Sequence, residues 1–187
     1  MTLRLRGAQV VLRPFRDGEF DALWAEEIAD RGEFQAPVPN DGAYRGRLRA
    51  RVDASGGWTR TELMLAIESS GVLAGDVQAR RDDEAMPPGV FEVGIGVFRA
   101  CRGRGIGTAA LSLLTDHLFE DELAHRVQLS TDVDNVPMRR AAEKAGYAFE
   151  GVLRSFWPAP DGGARDYAMY ARTRDDHDRS DRWTPAS

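Results

Sequence analysis

The sequence predicts one α/β (α+β) domain over residues 1–173, built from about seven strands and about four helices. Three observations lead to this prediction. Short apolar segments with strand character recur between turns rich in glycine and proline. Helical apolar patterns separate these segments at four places. The chain has 187 residues, of which 42% are hydrophobic and 29% charged, and such values are typical of a single globular domain.

The first half of the chain contains three predicted strands and two predicted helices. Asp17 and Asp41 stand where a side chain can cap the start of each helix, and two prolines interrupt the loop between these helices. The turn Ser69-Ser-Gly71 joins the second and third strands as a hairpin. In order, the predicted segments are strand 9–14, helix 17–28, loop 33–40, helix 41–52, strand 62–68 and strand 72–81.

The second half continues with strands and helices in alternation. Pro137 stands near the start of the last helix, and Gly146 is placed to end that helix in a left-handed conformation. The predicted segments are strand 90–98, helix 105–119, strand 126–131, helix 137–146, and strands 147–157 and 165–173 joined by the turn 160–163. Residues 174–187 are charged and lack periodicity, which predicts a disordered tail.

The composition excludes several classes of protein. The lone cysteine, Cys101, excludes an internal disulfide, and no spacing of potential ligands suggests a metal site. No apolar run is long enough to span a membrane, and the first residues lack the apolar segment of a signal peptide, so a cytoplasmic protein is expected. The net charge of −5 argues against a general nucleic-acid-binding protein and is compatible with a cationic amine substrate.

The stretch 92–108 has the features of a phosphate-binding loop. Val93, Ile95 and Val97 alternate as in a strand, and a helical pattern begins near Ile106. Between them, glycines let backbone N–H groups approach an anion, while the first turn of the helix adds unpaired donors and the positive end of its dipole. Arginines add permanent charge and forked donors. The residues with these properties are Arg102, Gly103, Arg104, Gly105 and Gly107.

This loop fits two sequence patterns and one plain alternative. Gly105-Ile-Gly107-Thr-Ala-Ala110 matches the variant dinucleotide fingerprint, with Asp132 near the end of a later strand, although about half of the chain precedes it. Arg102-Gly-Arg-Gly105-Ile-Gly107 instead matches Arg-x-x-Gly-x-Gly. Together with Val97, it resembles the acyl-CoA pyrophosphate loop of the GNAT superfamily of N-acyltransferases. The plain alternative is an ordinary glycine-rich connection between a strand and a helix.

Further motifs, found in order along residues 5–173, extend the resemblance to GNAT enzymes. The predicted order of elements is also the order of that superfamily. The resemblance implies a mixed, mostly antiparallel sheet that is splayed at the cofactor strand. The motifs are similar to those of the ribosomal-protein N-acetyltransferase (RimJ/RimL-like) branch, and they are Leu12-Arg-Pro-Phe-Arg16, Asp134-Asn135, Glu143-Lys-Ala-Gly-Tyr147, Glu150-Gly-Val-Leu-Arg154 and Asp166-Tyr-Ala-Met-Tyr170.

The resemblance implies acetyl-CoA as the cofactor and a primary amine as the acceptor, either a protein N-terminus or a small molecule. A homodimer is compatible with it. In this family the splayed strand offers backbone groups to the pantetheine arm, and Val97, Phe98 and Arg99 match those positions. The residues that match the pyrophosphate loop are Arg102, Gly103, Arg104, Gly105, Ile106, Gly107 and Thr108. Asn135 matches a residue that commonly contacts the cofactor arm, and it also stands where a plain helix cap would stand.

The resemblance also suggests a route for the proton of the acceptor. Glu92 lies early on the cofactor strand, where the family often has a carboxylate that takes the ammonium proton directly or through water. A solvated strand residue is the alternative interpretation of Glu92. Many relatives carry a general-acid tyrosine seven residues after the asparagine, and the related branch often has a serine three residues after it. Here these positions hold Ala142 and Met138, which cannot donate a proton.

Three functions therefore remain open from the sequence alone. The leading one is an acetyl-CoA-dependent N-acetyltransferase. The second is a CoA-binding sensor or interaction module with little catalysis, which the absence of an acid at Ala142 supports. The third is a dinucleotide-dependent oxidoreductase, which the GxGxxA match supports.

Overall fold

One open sheet of eight strands forms the centre of the protein in a computed structural model that describes residues 2–29, 42–82, 84–159 and 162–182. The strands are β1 (Leu5–Arg6), β2 (Val11–Arg13), β3 (Glu62–Ser69), β4 (Val72–Arg80), β5 (Val90–Val97), β6 (Arg126–Asp132), β7 (Ala148–Pro158) and β8 (Ala164–Thr173). Their order is β1-β2-β3-β4-β5-β6-β8-β7. Neighbours pair antiparallel except β5 and β6, which are parallel. This confirms the mixed, mostly antiparallel sheet.

Five α-helices accompany the sheet within the described residues. They are α1 (Glu19–Ala29), α2 (Gly42–Asp53), α3 (Ile106–Glu120), α4 (Val136–Lys144) and α5 (Arg174–Arg182), and a short 3-10 helix, Arg99–Cys101, precedes α3. None of these helices combines the length and the apolar character that crossing a bilayer requires.

The two faces of the central strands pack against different helices. The larger core cluster places α3 against one face, and its buried members include Leu65, Val77, Val93, Ala110 and Leu114. A second cluster places α1 and α2 against the other face through Phe20, Leu23, Leu48, Val52 and Met64. Because side chains alternate along a strand, Val93 faces α3, whereas Glu92 and Gly96 face the side of α1 and α2.

A buried ion network ties the start of α1 to the sheet. The guanidinium of Arg13 on β2 is almost wholly buried, with 1% of the residue exposed. Its Nε donates to Glu68 on β3 at 2.7 Å, and its Nη2 donates to Glu19 of α1 at 2.7 Å. The bond from Arg13 holds the pKa of the Glu68 carboxyl below its usual range. Helix α1, which follows the Leu12-Arg-Pro-Phe-Arg16 motif, is therefore anchored by an arginine of that motif.

The remaining predicted segments differ from the observed elements by at most two residues at either end, but the structure adds two elements. Strand β1 pairs Leu5 with Leu12. It has only two residues and is therefore too short to show a periodic pattern in the sequence. Helix α5 corrects the prediction of disorder for residues 174–182. It is polar on all sides, so no apolar pattern marks it.

Contacts to its surroundings hold α5 in place. His177 is buried and stacks on Phe119 of α3, with ring centroids 4.9 Å apart. The carboxylate of Asp176 accepts hydrogen bonds from the N–H of Thr173 at 3.0 Å and from its hydroxyl at 2.7 Å. Residues 183–187 lie outside the described residues, as do the predicted loop 33–40, the cap at Asp41 and the first half of the turn 160–163.

Candidate active site

A cleft of about 530 Å³ opens beside the end of β5 and the N-terminus of α3. Arg102, Arg140 and Lys144 contribute positive charge to its lining, in which the part of the chain that the structure describes places no carboxylate. We call it the basic cleft. Its other lining residues are Ile95, Gly96, Val97, Cys101, Gly103, Gly105, Ile106, Gly107, Thr108, Asn135, Pro137, Met138 and Ala141.

The loop before α3 is shaped to accept an anion. Gly105 is the N-cap of α3 at φ 79°, a left-handed conformation that favours glycine, and no side chain caps the helix. The first N–H groups of α3 are therefore left to a ligand or to water. Arg102 donates from Nε to the carbonyl of Val97 at 3.0 Å, and Gln9 donates to the carbonyl of Arg104 at 2.6 Å. The residues present thus fit a phosphate group at this position.

Strands β5 and β6 diverge beside the basic cleft. Their ladder extends only from Val90 opposite Arg126 to Glu92 opposite Gln128. Beyond this point β6 continues to pair with β8 as far as Asp132, while β5 continues to pair with β4 as far as Val97. The edge of β5 that faces β6 is consequently outside any ladder over its last five residues. This is the splay that the sequence resemblance implies.

A second, smaller cavity of about 30 Å³ approaches β5 from the side of α1. We call it the acidic cavity, because the described residues of its lining contribute three carboxyl groups and no cation. The lining residues are Leu23, Glu26, Glu27, Asp76, Gly96, Val97 and Phe98. Gly96 and Val97 line the basic cleft as well, so the two spaces reach the same short segment of β5.

Asp76 lies at the inner wall of the acidic cavity. It pairs with Gly96 across the β4–β5 ladder, and its Oδ1 lies 2.9 Å from the place that a Cβ on Gly96 would occupy. The carboxyl therefore occupies space that only a glycine at position 96 leaves free. Burial, followed by the negative charge of Glu27, raises the pKa of Asp76 to about 7. At neutral pH this carboxyl is therefore protonated in a larger share of molecules than an exposed aspartate would be.

Glu27 is held by a partner from α2. The hydroxyl of Tyr44 donates to Glu27 Oε2 at 3.2 Å. Burial, followed by the charge of Glu27, raises the pKa of Tyr44 to about 12, so the phenol remains a neutral donor. Trp24 packs beside Tyr44, with ring centroids 6.0 Å apart. Tyr44 and Trp24 thus form an aromatic pair next to Glu27, on the helical side of the acidic cavity.

The structure brings most of the predicted cofactor residues together. Val97, Arg102, Gly103, Gly105, Ile106, Gly107, Thr108 and Asn135 all line the basic cleft. Asn135 is also the N-cap of α4 and accepts a hydrogen bond from the N–H of Met138 at 3.2 Å, as the plain alternative expects. Because that contact uses only one oxygen, the cap leaves the amide N–H₂ available to the cleft.

Three predicted cofactor residues lie outside the basic cleft. Phe98 lines the acidic cavity instead of the basic cleft. The N–H of Arg99 donates to Glu26 at 3.2 Å, and its guanidinium donates to the carbonyl of Ala29 at 3.0 Å, which ties the loop to α1. Arg104 is exposed and lines neither space. A 3-10 turn, Arg99–Cys101, separates Phe98 from Arg102.

Glu92, the predicted base, faces the side of α1 and α2 but lines neither space. Arg80 donates to its Oε1 at 3.2 Å. Gly96 is four residues further along β5, which is about 13 Å at about 3.3 Å per residue. Ala142 is fully buried, whereas Met138 lines the basic cleft.

Sequence reasoning missed Asp76, Arg140 and Lys144. Arg140 and Lys144 are four residues apart on a predicted helix, a spacing that places both on one face toward a ligand. Asp76 interrupts the apolar middle of a predicted strand, and a carboxyl at such a position is a signal of a buried functional group.

Comparisons with known proteins agree with this geometry. A family model described as an acetyltransferase (GNAT) domain matches residues 9–148. The curated protein named "Probable N-acetyltransferase YjcK", from Bacillus subtilis (strain 168), is 37% identical over 62 residues, or 32% of this chain and 34% of that protein. The chain thus spans about a third of the length of that curated relative.

Solved structures share the fold over nearly the whole chain. Mycobacterium smegmatis RimJ in complex with CoA-disulfide is 25% identical, with a TM-score of 0.74 over 93% of this chain and 87% of that chain. RimL, a ribosomal L7/L12 alpha-N-protein acetyltransferase in complex with coenzyme A, has a TM-score of 0.76 over 93% of this chain and 99% of that chain. At 18% identity, the second likeness concerns the fold alone.

Proposed function

Because the chain belongs to the GNAT acetyltransferase family, we propose that it transfers the acetyl group of acetyl-CoA to a primary amine. One observation carries this proposal. The basic cleft and the acidic cavity approach β5 from opposite sides, and both reach Gly96 and Val97. A polyanionic acyl donor and a cationic acceptor would therefore meet at the same two residues.

The basic cleft is the proposed donor site. Acetyl-CoA, the acetyl donor of GNAT acetyltransferases, supplies a thioester carbonyl that an amine can attack. Arg102, Arg140 and Lys144 supply the charge that its phosphates require, and the uncapped start of α3 supplies N–H donors. The unpaired edge of β5 offers backbone donors near Val97 that can hold a carbonyl oxygen as negative charge develops on it.

The acidic cavity is the proposed acceptor site. Carboxylates on α1 and β4 favour the ammonium form of an amine by charge attraction, which promotes binding. The nucleophile, however, must be the neutral amine, so the bound ammonium has to lose a proton before it attacks. Glu92 remains the sequence prediction for the base, and it would have to act through water because it lies outside the cavity.

Finer features of this function are part of the proposal. The likeness to RimJ, at 25% identity, supports placing the chain in the RimJ/RimL-like branch. The acceptor would then be a protein N-terminal amine or a small-molecule amine. A cytoplasmic location and a homodimer remain predictions from the sequence.

Two measurements test the proposed function. Acetyl-CoA should raise the melting temperature, because binding to the folded state at a hundred times Kd stabilises it by roughly 2.7 kcal/mol, and NAD should not. Release of free thiol from acetyl-CoA should then depend on an added primary amine. A shift with NAD alone would favour the dinucleotide alternative. A shift with acetyl-CoA but no thiol release with any amine would favour a CoA-binding module.

A further inference from the structure

We propose that the carboxylate of Asp76, which lies in the acidic cavity against Gly96, takes the proton from the ammonium group of the acceptor. Asp76 would then be the general base of the transfer. This inference rests on the proposed N-acetyltransferase function, and it names a group that neither the motifs nor the family resemblance identifies.

The position of Asp76 is the first argument. Its partner across the ladder, Gly96, is one of the two residues that line both the basic cleft and the acidic cavity. An acceptor nitrogen beside Asp76 would therefore lie next to Gly96 from the acidic cavity. The donor in the basic cleft would reach Gly96 from the other direction. The backbone of β4 is held closely here, because a Cβ on Gly75 would lie 2.0 Å from the carbonyl oxygen of Gly96.

The lack of a partner is the second argument. Asp76 is 7% exposed, and within the described residues no hydrogen bond or ion pair of its carboxyl is found, since only burial and neighbouring charges shift its pKa. A buried carboxyl without a partner is costly, and such groups are retained where they serve a function. An ammonium group in the acidic cavity would supply the missing partner.

The electrostatic surroundings are the third argument. A base is most effective when its pKa lies near the operating pH, and burial with the charge of Glu27 raises the pKa of Asp76 to about 7. Arg51 and Arg80 oppose this rise, while Glu62 adds to it. Among the described residues, the ionisable groups around Asp76 are Glu26 and Glu27 on α1, Tyr44 and Arg51 on α2, Glu62 on β3 and Arg80 on β4.

The chemistry balances with Asp76 as a transient acceptor. The ammonium transfers one proton to the carboxylate, and the neutral nitrogen then uses its lone pair to attack the thioester carbon. An N–C bond forms and the C–S bond breaks. The attacking nitrogen loses a second proton as the amide forms, and the departing thiolate of CoA gains one proton. Asp76 then releases its own proton to solvent and is ready for another turnover.

The geometry distinguishes Asp76 from Glu92. Glu92 lies about 13 Å along β5 from Gly96, and its carboxylate is already paired with Arg80. Proton transfer to Glu92 would need a chain of waters, whereas Asp76 is adjacent to the proposed reaction site. Direct transfer requires the two heavy atoms to be within hydrogen-bond reach.

The test compares Asp76→Asn and Glu92→Gln with wild-type protein, using putrescine, spermidine and tetra-alanine as amine probes. At pH 7.5, Asp76→Asn should lower kcat by about 10²–10⁴ while the KM for acetyl-CoA changes by less than about twofold. The defect should shrink as the pH rises toward 10, because the amine then arrives neutral. In the wild type, kcat should fall as the pH drops below about 7, where Asp76 binds a proton. Asp53→Asn, an exposed change on α2, is the matched control.

Each outcome decides the question. A wild-type kcat in Asp76→Asn at every pH overturns the role of Asp76 while the transferase function stands. A large loss of kcat in Glu92→Gln but not in Asp76→Asn, with the same recovery at high pH, assigns the base to Glu92. That result also overturns the role of Asp76. If Asp76→Asn does not fold, Asp76→Ala with added formate should regain activity, and no rescue counts against the proposal.

A separate binding measurement covers the case in which the wild type turns over none of the three amines. The proposed function then fails for these acceptors, and the melting temperature with the same amines decides whether Asp76 binds ammonium. A shift in the wild type and in Asp53→Asn that is absent in Asp76→Asn supports the site. Equal shifts in all three proteins, or none, overturn it.

Discussion

Replacing Asp76 with asparagine should stabilise the protein, and by more at pH 8 than at pH 5. Burial, with the charge of Glu27, raises the pKa of this carboxyl from 3.8 to about 7 in the folded protein. In the unfolded chain the carboxyl is solvated and ionises at its ordinary value. Between these two values the folded state binds more protons than the unfolded state, so stability falls as the pH rises. The loss begins near pH 4 and is complete above about pH 7.

The size of the effect follows from the two pKa values. A change from 3.8 to about 7 corresponds to roughly 4 kcal/mol, at about 1.36 kcal/mol for each pKa unit. Just under 2 kcal/mol of this is already lost at pH 5, which leaves about 2–3 kcal/mol to be lost between pH 5 and pH 8. The asparagine amide does not titrate. The difference in unfolding free energy between the variant and the wild type should therefore increase by that amount from pH 5 to pH 8.

Urea denaturation at pH 5, 6, 7 and 8 measures this difference directly. Asp53→Asn makes the same chemical change at an exposed position of α2 and should leave the pH dependence of stability close to that of the wild type. A difference between Asp76→Asn and the wild type that stays constant within about 0.5 kcal/mol from pH 5 to pH 8 would refute the reasoning. Asp76 would then not be a buried carboxyl with a raised pKa.

Three further outcomes are expected. Arg102→Ala should weaken CoA binding about tenfold in titration calorimetry, because Arg102 lines the basic cleft, whereas Arg104→Ala, outside the cleft, should change the Kd by less than about twofold. Arg13→Ala should cost about 3–5 kcal/mol of unfolding free energy in urea, since it removes the buried partner that Glu19 and Glu68 share, and a cost below about 1 kcal/mol would contradict the buried network. His177→Ala should lower unfolding free energy by about 1–2 kcal/mol through the lost stack on Phe119, and an unchanged melting temperature would argue that α5 is not docked.

The strands and helices of the central fold could be predicted from sequence because their signals are local. Strand β5 is predicted at 90–98 and observed at Val90–Val97, since alternation with a period of two is visible within the segment itself. The predicted bounds of helix α3, 105–119, likewise differ from the observed ones by a single residue at each end. Helix α5 was not predicted because a nonpolar stripe is the usual signal of a helix, and over residues 174–179 the buried side chain, His177, is polar.

In the candidate site, too, residues that are contiguous in sequence could be predicted, whereas contacts between distant segments could not. The loop of the basic cleft is contiguous in sequence, so Arg102, Gly105 and Gly107 could be recognised together from their spacing. Phe98 and Arg99 are predicted for the same cleft, but Phe98 lines the acidic cavity and Arg99 bonds to α1, because packing between distant segments decides these contacts. Glu92 was selected for its place on the cofactor strand, and its ion pair with Arg80 depends on pairing across the sheet.

The sequence by itself determined the family, the order of elements and the phosphate-binding loop, because hydrophobic periodicity and a contiguous glycine-arginine motif are both encoded within short segments. The tertiary structure alone decided where the acidic cavity lies. Its carboxyl groups come from α1 and β4, and its floor comes from β5, segments that are separated by tens of residues. Only the antiparallel register that sets Asp76 opposite Gly96 brings a buried carboxyl to the point where the two spaces meet.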